Sequence, residues 1–350
     1  MSVTEVNKKN AVSNGPKRDL NIVRLLLEGR AFFALIVIIA VFSFLSPYYF
    51  SVSNFLVMAS HVAIFGILAI GMLLVILNGG IDLSVGSTLG LSGCIAGFLM
   101  QGVTLSYFGS ILYFPIWAVV VITCVIGGLV GAVNGVLVAY LKVPAFVASL
   151  GVLYVARGIA LLMTNGLTYN SLGGRPELGN TGFDWLGFNR LAGVPIGVIV
   201  LAVLAIICGV VLARTAFGRW LYASGGNERA ADLSGVPVKH VKVLVYVLSG
   251  VCAAIAGLVL SSQLTSAGPT AGTTYELTAI AAVVIGGAAL TGGRGTVRGT
   301  MLGAFVIGFL SDGLVIIGVS AYWQTVFTGA VIVLAVLMNS IQYGRRAKAG

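Results

Sequence analysis

The sequence predicts an all-α integral membrane protein of about ten transmembrane helices, with both termini on the cytoplasmic side. Three observations carry that prediction: overall apolarity, the length of the apolar runs, and the placement of the basic residues. The chain has 350 residues, of which 58% are hydrophobic and only 9% charged, with a mean hydropathy of +1.06. Soluble domains carry about 25% charged residues, so this chain cannot clothe a water-facing surface of the expected size.

The apolar residues fall in runs separated by short polar breaks, and a run of about 20 residues spans the hydrocarbon core. Ten runs are predicted to be helical: 31–47, 54–77, 84–101, 114–139, 146–164, 193–213, 243–262, 275–292, 299–318 and 322–340. The third and eighth are short and rich in Gly, Ser and Thr. Residues 1–30 read as a polar, basic cytoplasmic tail without a signal-peptide cleavage pattern, and 341–350 as a second cytoplasmic tail.

Ten crossings from an inside N-terminus put seventeen of the 20 Lys and Arg residues in cytoplasmic segments. They lie in the first tail, at Lys142, in the 214–242 loop, at Arg294 and Arg298, and at the C-terminus. Only Arg175 and Arg190 fall outside, with Arg157 inside a run. This asymmetry follows the positive-inside rule. It accounts for the formal net charge of +10 without a nucleic-acid partner.

Forty-eight glycines include the ridge Gly127, Gly131 and Gly135 and the pairs Gly86/Gly90, Gly93/Gly97 and Gly299/Gly303. Small residues at this spacing let helix backbones approach closely in lipid, either within one bundle or at a homodimer seam. Cys94, Cys124, Cys208 and Cys252 each sit in an apolar run with no ligand-spaced partner, so plain packing is expected.

Two polar segments stand out. The first, from Asn78 through Asp82 and Ser84 to Gly86, sits between the second and third runs. It reads either as a break in helical structure, tolerated at membrane depth only inside protein or beside a water-filled cavity, or as an ordinary polar turn. The second lies in the loop after the sixth run: Thr215, Gly218 and Arg219, then Gly225, Asn227, Glu228, Ala230, Ala231, Asp232 and Gly235. Asn227 suits an N-cap, Glu228 the positive helix end, and Gly235 followed by Pro237 a stop. A short amphipathic helix is predicted there.

This second segment resembles the cytoplasmic coupling segment of ribose/xylose/arabinose-type sugar permeases of ATP-binding-cassette importers, within the branched-chain-amino-acid/ribose permease superfamily. The Asn78–Gly86 run, Val143–Gly151 and Gly286–Ala304 resemble that family too, and together the four cover roughly residues 40–340. The resemblance implies a multi-pass subunit of the bacterial inner membrane that moves a small uncharged sugar or polyol. It implies separate ATP-binding-cassette ATPase subunits with a cleft for the helix around Asn227–Leu233, a second permease copy, and an extracytoplasmic sugar-binding protein. In agreement, no Lys follows a Gly, so the chain has no GxxxxGK phosphate loop. No cofactor is expected in this chain, and ATP would bind the partner subunits.

Isolated polar residues in or beside the runs are His61, Asn134, Arg157, Gln263, Glu276 and Asp312. With Asn78, Asp82 and Ser84, all but His61 are candidate pathway residues, since polar groups at membrane depth are costly. For Arg157 two readings are open: a structural pair or interfacial position, or a hydrogen-bond donor on the path, with Asp312 as its partner. His61 is expected to make an interhelical hydrogen bond. The 165–192 loop, with Tyr169, Arg175, Glu177, Asp184, Trp185 and Arg190, reads as a docking surface or a solvated loop. No nucleophile–base pair or metal set is present, so the chain is not expected to be an enzyme.

Overall fold

The computed structural model describes residues 29–105, 107 and 109–347. The basic positions Lys8, Lys9, Lys17, Arg18, Arg24 and Lys348 lie outside them. Thirteen α-helices occur among the described residues. Ten match the predicted runs: α1 Arg30–Leu45, α2 Val52–Leu77, α3 Val85–Gln101, α4 Ile116–Ala139, α5 Ala145–Thr164, α7 Ile196–Arg214, α10 Val238–Leu264, α11 Tyr275–Ile285, α12 Val297–Ile316 and α13 Ala321–Ala347. Three short helices lie in the loops: α6 Trp185–Phe188, α8 Ala216–Gly226 and α9 Glu228–Leu233.

Among the described residues, α2, α4, α5, α7, α10 and α12 are long and apolar enough to cross a membrane, and α1, α3 and α11 are shorter apolar helices. The eighth run is corrected: its helix stops at Ile285, and the remainder turns through Gly286 and Gly287. Gly287, Gly292 and Gly293 take φ of 93°, 89° and 69°, a region open to glycine at no steric cost.

At the centre lie α2, α3 and α10, with the other long helices around them. Every residue from Gly66 to Leu77 and from Ser84 to Gly97 is buried, as expected of helices that are apolar or small on all sides. By contrast, α7 exposes Val203, Ile206, Ile207 and Val210, an apolar face suited to lipid.

Glycine explains how close the centre is. A Cβ on Gly127 would lie 2.6 Å from the Gly250 carbonyl oxygen, and one on Gly135 2.8 Å from the Val243 Cα. Between them, Gly131 faces the Tyr246 carbonyl. The ridge on α4 therefore seats α10 of the same chain, and the Gly299/Gly303 pair likewise seats α11.

Polar breaks alternate between the two ends of the bundle. One end gathers residues 78–84, 140–144, 215–237 and 286–296. The other carries β1 Val103–Leu105 paired with β2 Ser110–Leu112, and the 165–195 segment. In that segment β3 Tyr169–Asn170 pairs with β6 Ser266–Ala267, and β4 Arg190–Leu191 forms a tight hairpin with β5 Val194–Pro195. Its turn residues Ala192 and Gly193 both have positive φ, 51° and 82°, the type I′ geometry that matches strand twist. Asn180 donates to the Met100 carbonyl at 2.9 Å, Ser262 to the Phe183 carbonyl at 2.6 Å, and Phe183 is fully buried. This loop is an anchored cap over the bundle.

Candidate functional site

Two non-helical segments enter the bundle from opposite ends and meet α3. At one end α2 stops at Asn78, and the chain runs irregularly to Ser84 before α3 begins. Asp82 is 1% exposed. Its Oδ1 accepts from the Ser84 backbone N–H at 2.9 Å and the Ser84 hydroxyl at 2.6 Å. Asn134 of α4 donates to the Ser84 Oγ at 2.8 Å and more weakly to Asp82 at 3.4 Å. Ser249 of α10 donates to Oδ2 at 3.0 Å. A carboxylate in a low-dielectric interior needs such donors, and here they tie α3, α4 and α10 together. The helix-break reading of this segment holds.

Below that network lies a cavity of about 770 Å³, lined by Asn78, Gly80, Lys142, Glu228, Lys242 and Tyr246 among others. The Tyr246 hydroxyl and Asn134 Oδ1 are buried without a hydrogen-bond partner among the described residues. Unpaired buried polar atoms are uncommon in folded proteins.

From the other end, α10 stops at Leu264 and the chain descends along α3 as turns before α11 begins at Tyr275. The glycines of α3 order the descent. Gly93 faces Ala267, Gly90 faces Pro269 and Ala271, and Gly86 faces Gly272 and Glu276. Spacings of three and four residues put these glycines on one helix face. Backbone carbonyls exposed by such a segment need donors, and Arg157 of α5 supplies them. Its Nη1 bonds the Pro269 carbonyl and, at 2.8 Å, the Ala271 carbonyl. Glu276 lies in the first turn of α11, so an acidic side chain sits at the positive end of that helix.

The predicted pathway residues thus separate into groups. Asp82, Ser84 and Asn134 form one network, and Arg157 and Glu276 flank the descending segment one helical turn apart along α3. Asn78 donates instead to Ser224 of α8 at 2.8 Å. Gln263 donates to the Ser60 carbonyl at 3.4 Å. Of the readings open for Arg157, the one with Asp312 as its partner does not form: Asp312 bonds His61 at 2.9 Å, and Arg157 is engaged by carbonyls. His61 makes the interhelical bond expected of it. Ser249, Tyr246, Pro269 and Ala271 were missed. Glycines spaced along α3 opposite a Pro-containing, Gly-rich break were the available signal.

The segment after α7 is built as two helices rather than one. Thr215 caps α8 by accepting from the Gly218 N–H at 3.3 Å, and Asn227 caps α9 by accepting from the Ala230 N–H at 3.0 Å. Gly218 packs on the Leu212 backbone. Glu228 bonds Lys242 at 2.8 Å, and Gly235 ends the segment with φ 81°. Ala231 is buried, while Arg219, Ala230, Asp232 and Leu233 face outward, Leu233 being 83% exposed. Gly225 sits against the Leu77 carbonyl and Gly293 N–H, Gly293 N–H bonds the Leu77 carbonyl at 2.9 Å, and Tyr222 donates to the Gly295 carbonyl at 2.8 Å. α8 is therefore bolted to the end of α2 and the 286–296 turn, and α9 is tied to α10 through Glu228–Lys242.

Comparison with known proteins places this arrangement. The chain is 40% identical to the ribose import permease protein RbsC of Haemophilus influenzae over 95% of this chain and 97% of that protein. It is 42% identical to the ribose import permease protein RbsC of Escherichia coli K12 over 90% and 94%. It is 36% identical to the xylose transport system permease protein XylH of Escherichia coli K12 over 83% and 86%. No solved structure matches. Residues 52–336 match the family described as branched-chain amino acid transport system / permease component. With that match and with apolar helices that can cross a membrane, the chain belongs to that family of multi-pass membrane permease subunits.

Proposed function

We propose that this chain is the membrane-spanning subunit of an ATP-binding-cassette importer for a small uncharged sugar, ribose first among the candidates. The similarity to ribose and xylose permeases over nearly the whole of each chain carries the reading. Ten crossings with both termini inside follow from the basic residues at the end formed by 140–144, 215–237 and 286–296. The bacterial inner membrane is the location that fits.

In this reading two permease copies sit on two ATPase subunits, and a sugar-binding protein docks on the anchored 165–195 cap. The surface made by Arg219, Arg229, Asp232 and the exposed Leu233 is the coupling face. An apolar knob ringed by both charge signs suits a groove in a partner. Motion imposed there reaches α2 through Gly225 and Leu77, and from α2 the Asp82 segment. The pathway runs past Arg157, Glu276, Asp82, Ser84 and Asn134. A sugar hydroxyl can satisfy Asn134 Oδ1 or the Tyr246 hydroxyl without any change of charge.

Uptake into proteoliposomes holding the full complex tests the proposal. Radiolabelled ribose should accumulate only with internal ATP and persist with an ionophore. Uptake of leucine instead, or ribose uptake without ATP that collapses with the ionophore, would point to an amino-acid permease or an ion-coupled transporter.

A further inference from the structure

One face of the bundle is polar where lipid would require it to be apolar. His61 lies about 14 Å along α2 from Val52, in the outer half of the bundle. Its side chain is 50% exposed and its Asp312 partner 16%. Asp312 Oδ2 is buried and without a hydrogen-bond partner among the described residues. One turn further along α2, Phe65 meets Tyr275, the first residue of α11, with ring centroids 4.9 Å apart. That contact joins the His61–Asp312 pair to the descending segment, whose Thr270, Thr273 and Thr274 are exposed near the middle of the bundle. Thr274 has no side-chain capping bond, and φ of 69° turns the chain there. The α7 face, with Val203, Ile206 and Ile207 outward, has the opposite chemistry.

Ionisable side chains and irregular backbone do not face acyl chains; they face protein or water. We infer that the face running from His61–Asp312 to Thr270, Thr273 and Thr274 is a water-lined solute-binding wall, taking a neutral polyhydroxylated solute through hydroxyl and carboxylate hydrogen bonds. The inference rests on the import reading above and assigns to the wall residues outside the Asp82 network. The wall offers the Asp312 Oδ1, bonded to His61, and the Thr273 hydroxyl, which donates to the Thr270 carbonyl at 2.6 Å, as acceptors, and the Thr270 and Thr274 hydroxyls as groups that both donate and accept. An aromatic pair lies between them for the apolar face of a sugar ring. Arg157 stays behind the wall as a positioning residue, holding its backbone.

Single cysteines test it in the reconstituted full complex, with the parent chain as background for the four native cysteines. Thr273→Cys and Thr274→Cys should react with a membrane-impermeant sulfonated methanethiosulfonate about tenfold faster than Ile206→Cys on α7. A thiol in lipid does not ionise, and each unit of pKa is about tenfold in thiolate. Ribose delivered by its binding protein should slow the reaction. Thr273→Val should raise the KM for ribose about fivefold, the value of one hydrogen bond near 1 kcal/mol. If both cysteines react no faster than Ile206→Cys while ribose uptake is intact, the wall is wrong and the import reading stands. Fast labelling that ribose never slows overturns the solute contact. If the parent complex carries no sugar, the import reading fails, and the labelling ratio still decides whether the face is wet.

Discussion

The Arg157 guanidinium lies 2.8 Å from the carbonyl oxygen of Ala271, 114 residues later in the chain. Through that contact α5 holds a stretch of non-helical backbone against the glycine face of α3. Charged hydrogen bonds contribute about 1.5–3 kcal/mol each, and removing the donor leaves two carbonyls bare. Arg157→Ala should lower the stability of the solubilised protein by about 3 kcal/mol. Arg157→Lys should recover only part, because an ammonium lacks the planar fork. Thermal unfolding of the purified variants reads this directly, and an unchanged midpoint for Arg157→Ala would remove the role.

Asp82 and Ser249 should be energetically coupled. Asp82→Ala leaves the Ser84 and Ser249 donors without their acceptor, a loss of about 3 kcal/mol. Ser249→Ala alone should cost about 1 kcal/mol. In a double-mutant cycle the combined loss should fall short of the sum by about 0.5–1 kcal/mol. Strict additivity would mean the 3.0 Å contact between them is energetically silent.

Glycines of the same helix class should respond oppositely. At Gly131 a Cβ meets the Tyr246 carbonyl of α10, whereas at Gly209 of α7 it meets nothing within 4 Å. Gly131→Ala should destabilise by about 1–3 kcal/mol through overpacking. Gly209→Ala should be neutral or stabilise by up to about 1 kcal/mol through helix propensity. Paired melting curves would settle the contrast, and a stable Gly131→Ala would argue that α4 and α10 are not in backbone contact.

The apolar runs were legible as helices because length and hydropathy mark them, and six of these helices are long and apolar enough to cross a membrane among the described residues. The caps at Asn227 and the stop at Gly235 were legible because their side chains or lack of one act locally. What sequence could not display were long-range bonds to backbone. Asp312 was one partner open to Arg157, but the acceptors of Arg157 are the carbonyls of Pro269 and Ala271, which no side-chain letter marks. The eighth run was overextended for a related reason. Its apolar composition continues through Gly286 to Leu290, while the helix ends in a turn where Ala288 N–H bonds the Val283 carbonyl at 3.1 Å and Gly287 takes positive φ. Asp82 was recognised as unusual, but its partners Asn134 and Ser249 lie 52 and 167 residues away.

The coupling segment gives a functional prediction separable from folding. Replacing residues 225–232 with a flexible Gly/Ser linker removes Asn227's cap, the seat on Leu77 and the Glu228–Lys242 bond, but leaves the sequence of every long apolar helix unchanged. The variant should insert normally and lose co-purification with the ATPase subunits. Retained co-purification with normal transport would move the coupling face elsewhere.

The central claim is that this chain transmits arrival of a sugar outside to ATP hydrolysis inside. ATPase activity of the purified complex in proteoliposomes, with and without ribose-loaded binding protein, measures that transmission. The account predicts stimulation by the loaded protein, absent with the empty protein and lost in the 225–232 linker variant. Equal hydrolysis under all three conditions, across a panel of pentoses, hexoses and polyols, would contradict it.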